Sequence, residues 1–135
     1  MKVYVYRNLH KDCWSVKALE GEHKGRVIYH AQNVTLSDCT FKVSKAGRER
    51  VLREKRKNVH AGVVGQLGRI NVPLSYMPQM TAVTYNPYKY ESFVRKNNDF
   101  MPVYGADWVY MAEDKSVGAI RPVGRWDEGL RVSPN

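Results

Sequence analysis

The basic side chains crowded into the middle of the chain are the strongest candidates for binding a ligand. Between Lys42 and Asn58 the sequence has eight Lys or Arg and two Glu, so these 17 residues carry +6 of the total net charge of +9. Such crowding is unfavourable in a folded protein, and an anionic partner relieves the repulsion. Nucleic-acid phosphates are such partners, and each contact with them releases counterions. The expected anion-binding residues are Arg48, Arg50, Arg53, Lys55, Arg56 and Lys57.

A tyrosine-rich stretch, YNPYKY, supplies a second group of candidates. It contains Tyr85, Tyr88 and Lys89 beside an expected strand. Bases stack on aromatic rings with little sequence preference, at about 1–3 kcal/mol each. Tyrosines interleaved with cations therefore suit single strands or RNA loops. The alternative is that these tyrosines are half-buried residues of a sheet.

His60 follows the basic run directly and is the one candidate for acid–base chemistry. Neighbouring positive charges favour the neutral imidazole, which is the form that acts as a general base. With Arg53 or Lys57 it could serve a phosphodiesterase mechanism, but the sequence offers no clear second acid or base. We therefore assign no catalytic residue and expect a non-enzymatic protein, in which His60 makes ordinary hydrogen bonds or contacts the anion.

The sequence contains no pattern typical of a metal or cofactor site. It has no C-x-x-C, its four histidines are not paired at helical spacing, and Gly62–Gly68 lacks the Lys-Ser/Thr ending of a phosphate-binding loop. Cys13 and Cys39 are expected to be reduced thiols. No segment resembles a signal peptide or a membrane span, so we expect a cytoplasmic protein.

The elements that must position these residues are mainly strands. Lys2–Tyr6 alternates Val with Tyr at period two, and Cys13–Leu19 is a second strand, with more strand sequence at 26–31 and 33–36. Ser44 is a suitable N-cap for a short basic helix that reaches Lys57. A second β-rich block covers 82–111, and the tail at 117–135 is expected to be partly ordered. The length fits a single domain of α+β class, mostly β.

The two β-rich blocks share a short pattern. Residues 5–11 align with 83–89, which places Asn8 on Asn86 and Lys11 on Lys89. Asn bonds readily to its own backbone in turns. The pattern predicts two small three-stranded antiparallel units, 1–41 and 82–116, related by an internal repeat and flanking a basic insert at 42–68.

Two stretches carry a resemblance to a known group. SKAGRERVLREKRKNVHAGVVG and AVTYNPYKYESFV resemble segments of small uncharacterised proteins of tailed bacteriophages. The resemblance implies a cytoplasmic phase in an infected bacterium, where small phage proteins bind nucleic acid or disable host machinery. It carries no activity or site residue with it.

The leading expectation is non-enzymatic binding of nucleic acid or another polyanion through residues 42–60, with no cofactor. Three alternatives remain open: an inhibitor that places its cations on an acidic host-protein surface, a binder of nucleotides or small anions, and a small nuclease centred on His60. Oligomeric state and the choice between DNA and RNA are equally open.

Overall fold

The computed structural model describes residues 1–56, 59–72 and 80–124, and within these ranges it contains ten strands and one helix. The mostly-β class is therefore confirmed. Helix α1 (Lys45–Glu54) lies between the fourth and fifth strands. The strands are β1 (Lys2–Asn8), β2 (Cys13–Ala18), β3 (Val27–Ala31), β4 (Val34–Val43), β5 (Ala61–Ile70), β6 (Thr81–Thr84), β7 (Phe93–Arg95), β8 (Asn98–Val103), β9 (Gly105–Met111) and β10 (Val117–Ile120).

The described strands form one antiparallel sheet in the order β3-β2-β1-β5-β4-β9-β10-β6-β7-β8. The prediction of two three-stranded units is wrong in two respects. The insert supplies β5, which pairs between β1 and β4, and the expected tail supplies β10, which pairs between β9 and β6. Each half of the sheet thus has five strands, and β4 pairs with β9 where the halves meet. Residues 125–135 lie outside the described residues.

The second half of the sheet is curled. β8 lies at one edge and β9 in the centre, yet Tyr104 alone connects them. The backbone N–H of Tyr104 donates to Val123 at 2.8 Å, and its carbonyl accepts from the N–H of Phe41 at 2.9 Å. The strands between β9 and β8 must therefore bend round to bring the edge of the sheet back to its middle.

The core follows the alternation of the sequence. Val3 and Val5 of β1 are fully buried, whereas Tyr4 and Tyr6 between and after them are half-buried on the other face. Burial of one such valine contributes about 1.5–3 kcal/mol relative to exposure. The same core extends across both halves of the sheet, from β1 through Leu36 of β4 to the residues of β9 and β10.

Helix α1 begins after Ser44, whose Oγ accepts a hydrogen bond from the N–H of Gly47 at 3.1 Å. It ends at Lys55, which adopts the left-handed conformation and donates its N–H to the Val51 carbonyl. Only Gly47 and Val51 of the helix are buried, so its other side chains are at least partly exposed. Lys57, the expected helix end, lies outside the described residues.

The described parts of the chain contain no helix that is long and apolar enough to cross a membrane.

The absence of a side chain at Gly47 allows the helix to lie close to the strand that follows it. A Cβ at this position would be 2.7 Å from Cβ of His60, closer than such atoms approach one another. The backbone N–H of Ser44 donates to the His60 carbonyl at 2.7 Å, and this hydrogen bond also holds the start of the helix close to His60. The start of α1 is therefore held against the residue that precedes β5.

Candidate functional site

A cleft of about 880 Å³ opens beside the C-terminal end of α1. Its walls come from the ends of β1 and β2, the residues between α1 and β5, strand β6 with the loop after it, and the turn between β9 and β10. Among the described residues that line it, five are cationic and one, Asp114, is acidic. The cationic residues are Arg7, Lys55, Arg56, Lys96 and Lys115.

The end of the helix places part of the basic segment in this cleft. Lys55 caps α1, and Arg56 follows it; both side chains are exposed and both line the cleft. The C-terminal end of a helix carries a partial negative charge that repels anions, and cations beside it counteract that effect. These two side chains therefore make the helix end compatible with an anionic ligand.

The structure brings five of the sequence-predicted site residues to the cleft and leaves others elsewhere. Arg50 and Arg53 are exposed on α1 and do not line the cleft, and Nη2 of Arg53 lies 3.5 Å from the carboxylate of Glu54. Lys89 is exposed outside the cleft, and Lys57 lies outside the described residues. The predicted residues in the lining are Lys55, Arg56, His60, Tyr85 and Tyr88.

Arg48 holds the tyrosine-containing loop against the helix. Its Nε donates to the carbonyls of Pro87 at 3.1 Å and Tyr90 at 2.9 Å, and its side chain is half-buried. Burial raises the pKa of the neighbouring Tyr85, while the positive charge of Arg48 opposes that rise. Arg48 is thus a positioning residue for the loop that forms one wall of the cleft.

His60 is enclosed at the base of the cleft, with 9% of its surface exposed. Its Nε2 lies 3.0 Å from the Tyr85 hydroxyl, and the two rings meet edge to face. Tyr85 in turn stacks on Phe93 at 5.3 Å between ring centres, and Phe93 contacts Phe41 at 4.9 Å. This row of rings connects the cleft to the core, so the geometry favours a structural hydrogen bond for His60.

Three cationic residues of the cleft were missed by sequence reasoning, because Arg7, Lys96 and Lys115 lie in separate turns and strand ends far apart in the chain. The guanidinium carbon of Arg7 lies 5.1 Å from the centre of the Trp14 ring, at a distance typical of a cation–π contact. Its Nη2 bonds to Asp12 at 2.7 Å, and Nζ of Lys115 lies 3.9 Å from the same carboxylate. No sequence signal distinguishes these cations from ordinary surface residues.

The indole of Trp14 also joins the two halves of the molecule. Its Nε1 donates to the carbonyl of Ala112, a residue 98 positions along the chain in the turn between β9 and β10. The wall that carries Arg7 is therefore fixed to the turn that carries Lys115. The cleft is therefore formed by segments from both halves of the sheet.

The described residues contain no group of three or more His, Cys, Asp or Glu that could hold a metal ion. Cys13 and Cys39 are both buried and are not bridged. The cleft lining itself contains cationic side chains and aromatic rings.

The sequence of the chain is similar to known phage proteins over most of its length. A family model described as the Mycobacterium phage L5 gene 82 protein matches residues 1–119. A curated protein named Gene 82 protein, from Mycobacterium phage L5, is 43% identical over 122 residues, with 84% of this chain and 91% of that protein covered. No solved structure matches the chain. The resemblance to tailed-phage proteins seen in the sequence is confirmed.

Proposed function

We propose that this chain, which belongs to the family of the Mycobacterium phage L5 gene 82 protein, binds nucleic acid in the cytoplasm of an infected bacterium, without catalysing a reaction on it. The observation that carries the proposal is the cleft lined by five cations from four separate segments and by one acidic residue, Asp114. Two of the cations, Arg7 and Lys115, also contact the carboxylate of Asp12 beside the cleft, so Lys55, Arg56 and Lys96 are the main candidates to meet phosphates. Charges held close to low-dielectric walls attract phosphates more strongly than isolated surface charges do.

The proposal differs from the sequence expectation in where the ligand lies. The basic segment contributes Lys55 and Arg56 at the helix end, while Arg48 is occupied by two loop carbonyls and Arg53 lies beside Glu54. The ligand would therefore lie across the end of α1 rather than along the side of the helix.

The chain offers a matched test of this placement. The variant Lys55→Gln/Arg56→Gln removes two charges in the cleft, and Arg50→Gln/Arg53→Gln removes two charges from exposed positions on the same helix. Fluorescence anisotropy with a labelled oligonucleotide, over a series of salt concentrations, measures the affinity of each variant.

We expect the cleft variant to bind at least tenfold more weakly, with a salt slope lower by about one to two, since each lost phosphate contact releases one counterion fewer. The affinity of the Arg50→Gln/Arg53→Gln variant should change far less. Equal losses in the two variants would mean that only overall charge matters, and absence of oligonucleotide binding by the wild-type protein would refute the proposal. A captured acidic protein that survives nuclease treatment would instead support inhibition of a host protein.

We also propose that the two halves of the sheet arose by duplication of one five-stranded unit. Supporting this, each half has the same strand order from its outer edge, β3-β2-β1-β5-β4 and β8-β7-β6-β10-β9. Asn8 Oδ1 accepts from the N–H of His10, and Asn86 Oδ1 accepts from the N–H of Tyr88, in the same i to i+2 turn. An experimental structure in which the two halves fail to superpose strand on strand would refute duplication.

A further inference from the structure

Three exposed apolar side chains surround the cationic cleft. Leu9 is 52% exposed, Val59 39% and Tyr88 59%, and all three line it. They come from the turn after β1, the residues before β5 and the loop after β6. Exposed apolar side chains gathered from separate segments mark a binding surface more often than scattered ones do. We call these three residues the apolar rim.

Tyr88 is the most exposed aromatic residue of the cleft lining, so its ring is the one best placed to stack on a ligand. The ring of Tyr85 stacks on Phe93 and its hydroxyl contacts His60, while the Trp14 ring has the Arg7 guanidinium over it. By contrast, most of the Tyr88 side chain is open to solvent.

The loop presents Tyr88 in a fixed position. The side chain of Asn86 accepts from the N–H of Tyr88 at 2.9 Å, and the Asn86 carbonyl accepts from the N–H of Tyr90 at 2.8 Å. Arg48 holds the same loop from the helix. Because the backbone is held in advance, only the side-chain torsions of Tyr88 have to be ordered when a ligand stacks on its ring, so more of the stacking energy contributes to affinity.

We infer that the cleft binds single-stranded nucleic acid, with an unpaired base against the apolar rim and the backbone phosphates on the cations. This inference rests on the proposed function. In a duplex the faces of the bases are stacked on one another and only their edges are accessible, so the apolar rim would have no partner there. The main phosphate contacts are assigned to Lys55, Arg56 and Lys96.

The combination of charge and apolar surface favours a nucleic acid over an acidic peptide. Each nucleotide carries one charge and one large flat ring, which matches cations placed beside an apolar rim. A peptide with enough carboxylates to satisfy the cations has few apolar side chains left to cover Leu9, Val59 and Tyr88.

The test compares a labelled 12-nucleotide DNA strand with the blunt duplex of the same sequence, by anisotropy over a series of salt concentrations. The variants are Tyr88→Ala, Tyr88→Phe, which keeps the ring, and Tyr29→Ala. Tyr29 is 44% exposed on edge strand β3 and does not line the cleft, so it serves as a matched control.

We expect the single strand to bind more tightly than the duplex. Tyr88→Ala should weaken single-strand binding about 5- to 150-fold with an unchanged salt slope, whereas the affinities of Tyr88→Phe and Tyr29→Ala should stay close to that of the wild type.

Equal affinity for strand and duplex, together with no effect of Tyr88→Ala, would overturn the inference and leave a cleft that contacts phosphates only. If neither DNA binds, and an RNA strand of the same sequence does not bind either, the proposed function itself fails. Displacement of the single strand by a polyglutamate peptide at equal charge concentration would also overturn the inference, because it would show that the apolar rim adds nothing.

Discussion

The Tyr85 hydroxyl lies 3.0 Å from Nε2 of His60, and this contact joins the loop after β6 to the residue before β5. The same two residues stand at the end of a row of rings that continues through Phe93 to Phe41 in the core. The loop that carries Tyr88 is therefore connected to the interior of the protein by both a polar and an aromatic contact.

Tyr85→Phe removes the polar contact and keeps the ring stacking. We expect the free energy of unfolding to fall by about 0.5–1.5 kcal/mol, the usual net contribution of one hydrogen bond, measured by urea denaturation. Tyr88→Phe makes the same chemical change on an exposed residue of the same loop and should alter stability by less than about 0.5 kcal/mol. Equal effects in the two variants would show that the contacts of the Tyr85 hydroxyl, with His60 and with Arg48, contribute nothing to stability.

Gly47→Ala tests the close approach of α1 to His60. Alanine is the better helix former by about 1 kcal/mol, but its Cβ would be 2.7 Å from that of His60. We expect the clash to outweigh the propensity and to lower the free energy of unfolding by about 1–3 kcal/mol, as overpacked substitutions do. Arg50→Ala, at an exposed position of the same helix, is the control. A more stable Gly47→Ala protein would mean that the helix sits further from His60.

Asp12 and Asp114 provide a paired prediction about pH. The hydrogen bond and charge of Arg7, with a smaller effect of Lys115, hold the pKa of Asp12 below its ordinary value of 3.8. Hydrogen bonds from Ser116 lower the pKa of Asp114 in the same way. A lowered pKa in the folded state stabilises the fold above the ordinary value, and the effect disappears as pH falls through the folded-state pKa.

NMR titration of the two carboxyl carbons checks these causes separately. Arg7→Gln should return the pKa of Asp12 towards 3.8 and leave that of Asp114 low, whereas Ser116→Ala should do the reverse. A change of both pKa values in either variant would indicate a general loss of structure. An unchanged pKa of Asp12 in the Arg7→Gln variant would contradict the ion pair between Arg7 and Asp12.

The local structure was predictable where one short stretch of sequence determines it. The alternation of Val3 and Val5 with tyrosines gave β1 its buried and half-buried faces, and Ser44 marked the start of the helix. Asn8 and Asn86 bond to the backbone two residues ahead, as expected for turn-forming asparagines. Each of these features depends on neighbours within a few residues.

The candidate site was only half predictable, because its other half is assembled by the sheet. Arg7 and Lys115 come together where the two halves of the sheet meet, beside the bond from Trp14 to Ala112 across 98 residues, and no local pattern indicates such a contact. Charge density likewise could not reveal that Arg48 would bond to loop carbonyls. β10 was missed because Val117–Ile120 is a short strand in a Gly- and Pro-containing stretch.

The placement of β10 has a consequence for synthesis on the ribosome. Strands β1 to β5 are all translated by Ile70, so the pairings within the first half can form early, and only the pairing of β4 with β9 waits for the second half. Strand β10 is the shared neighbour of β6 and β9, and both remain without it until Ile120 has emerged from the ribosome. A premature stop codon before Val117 would leave both with bare backbone edges, which invite pairing between chains and aggregation.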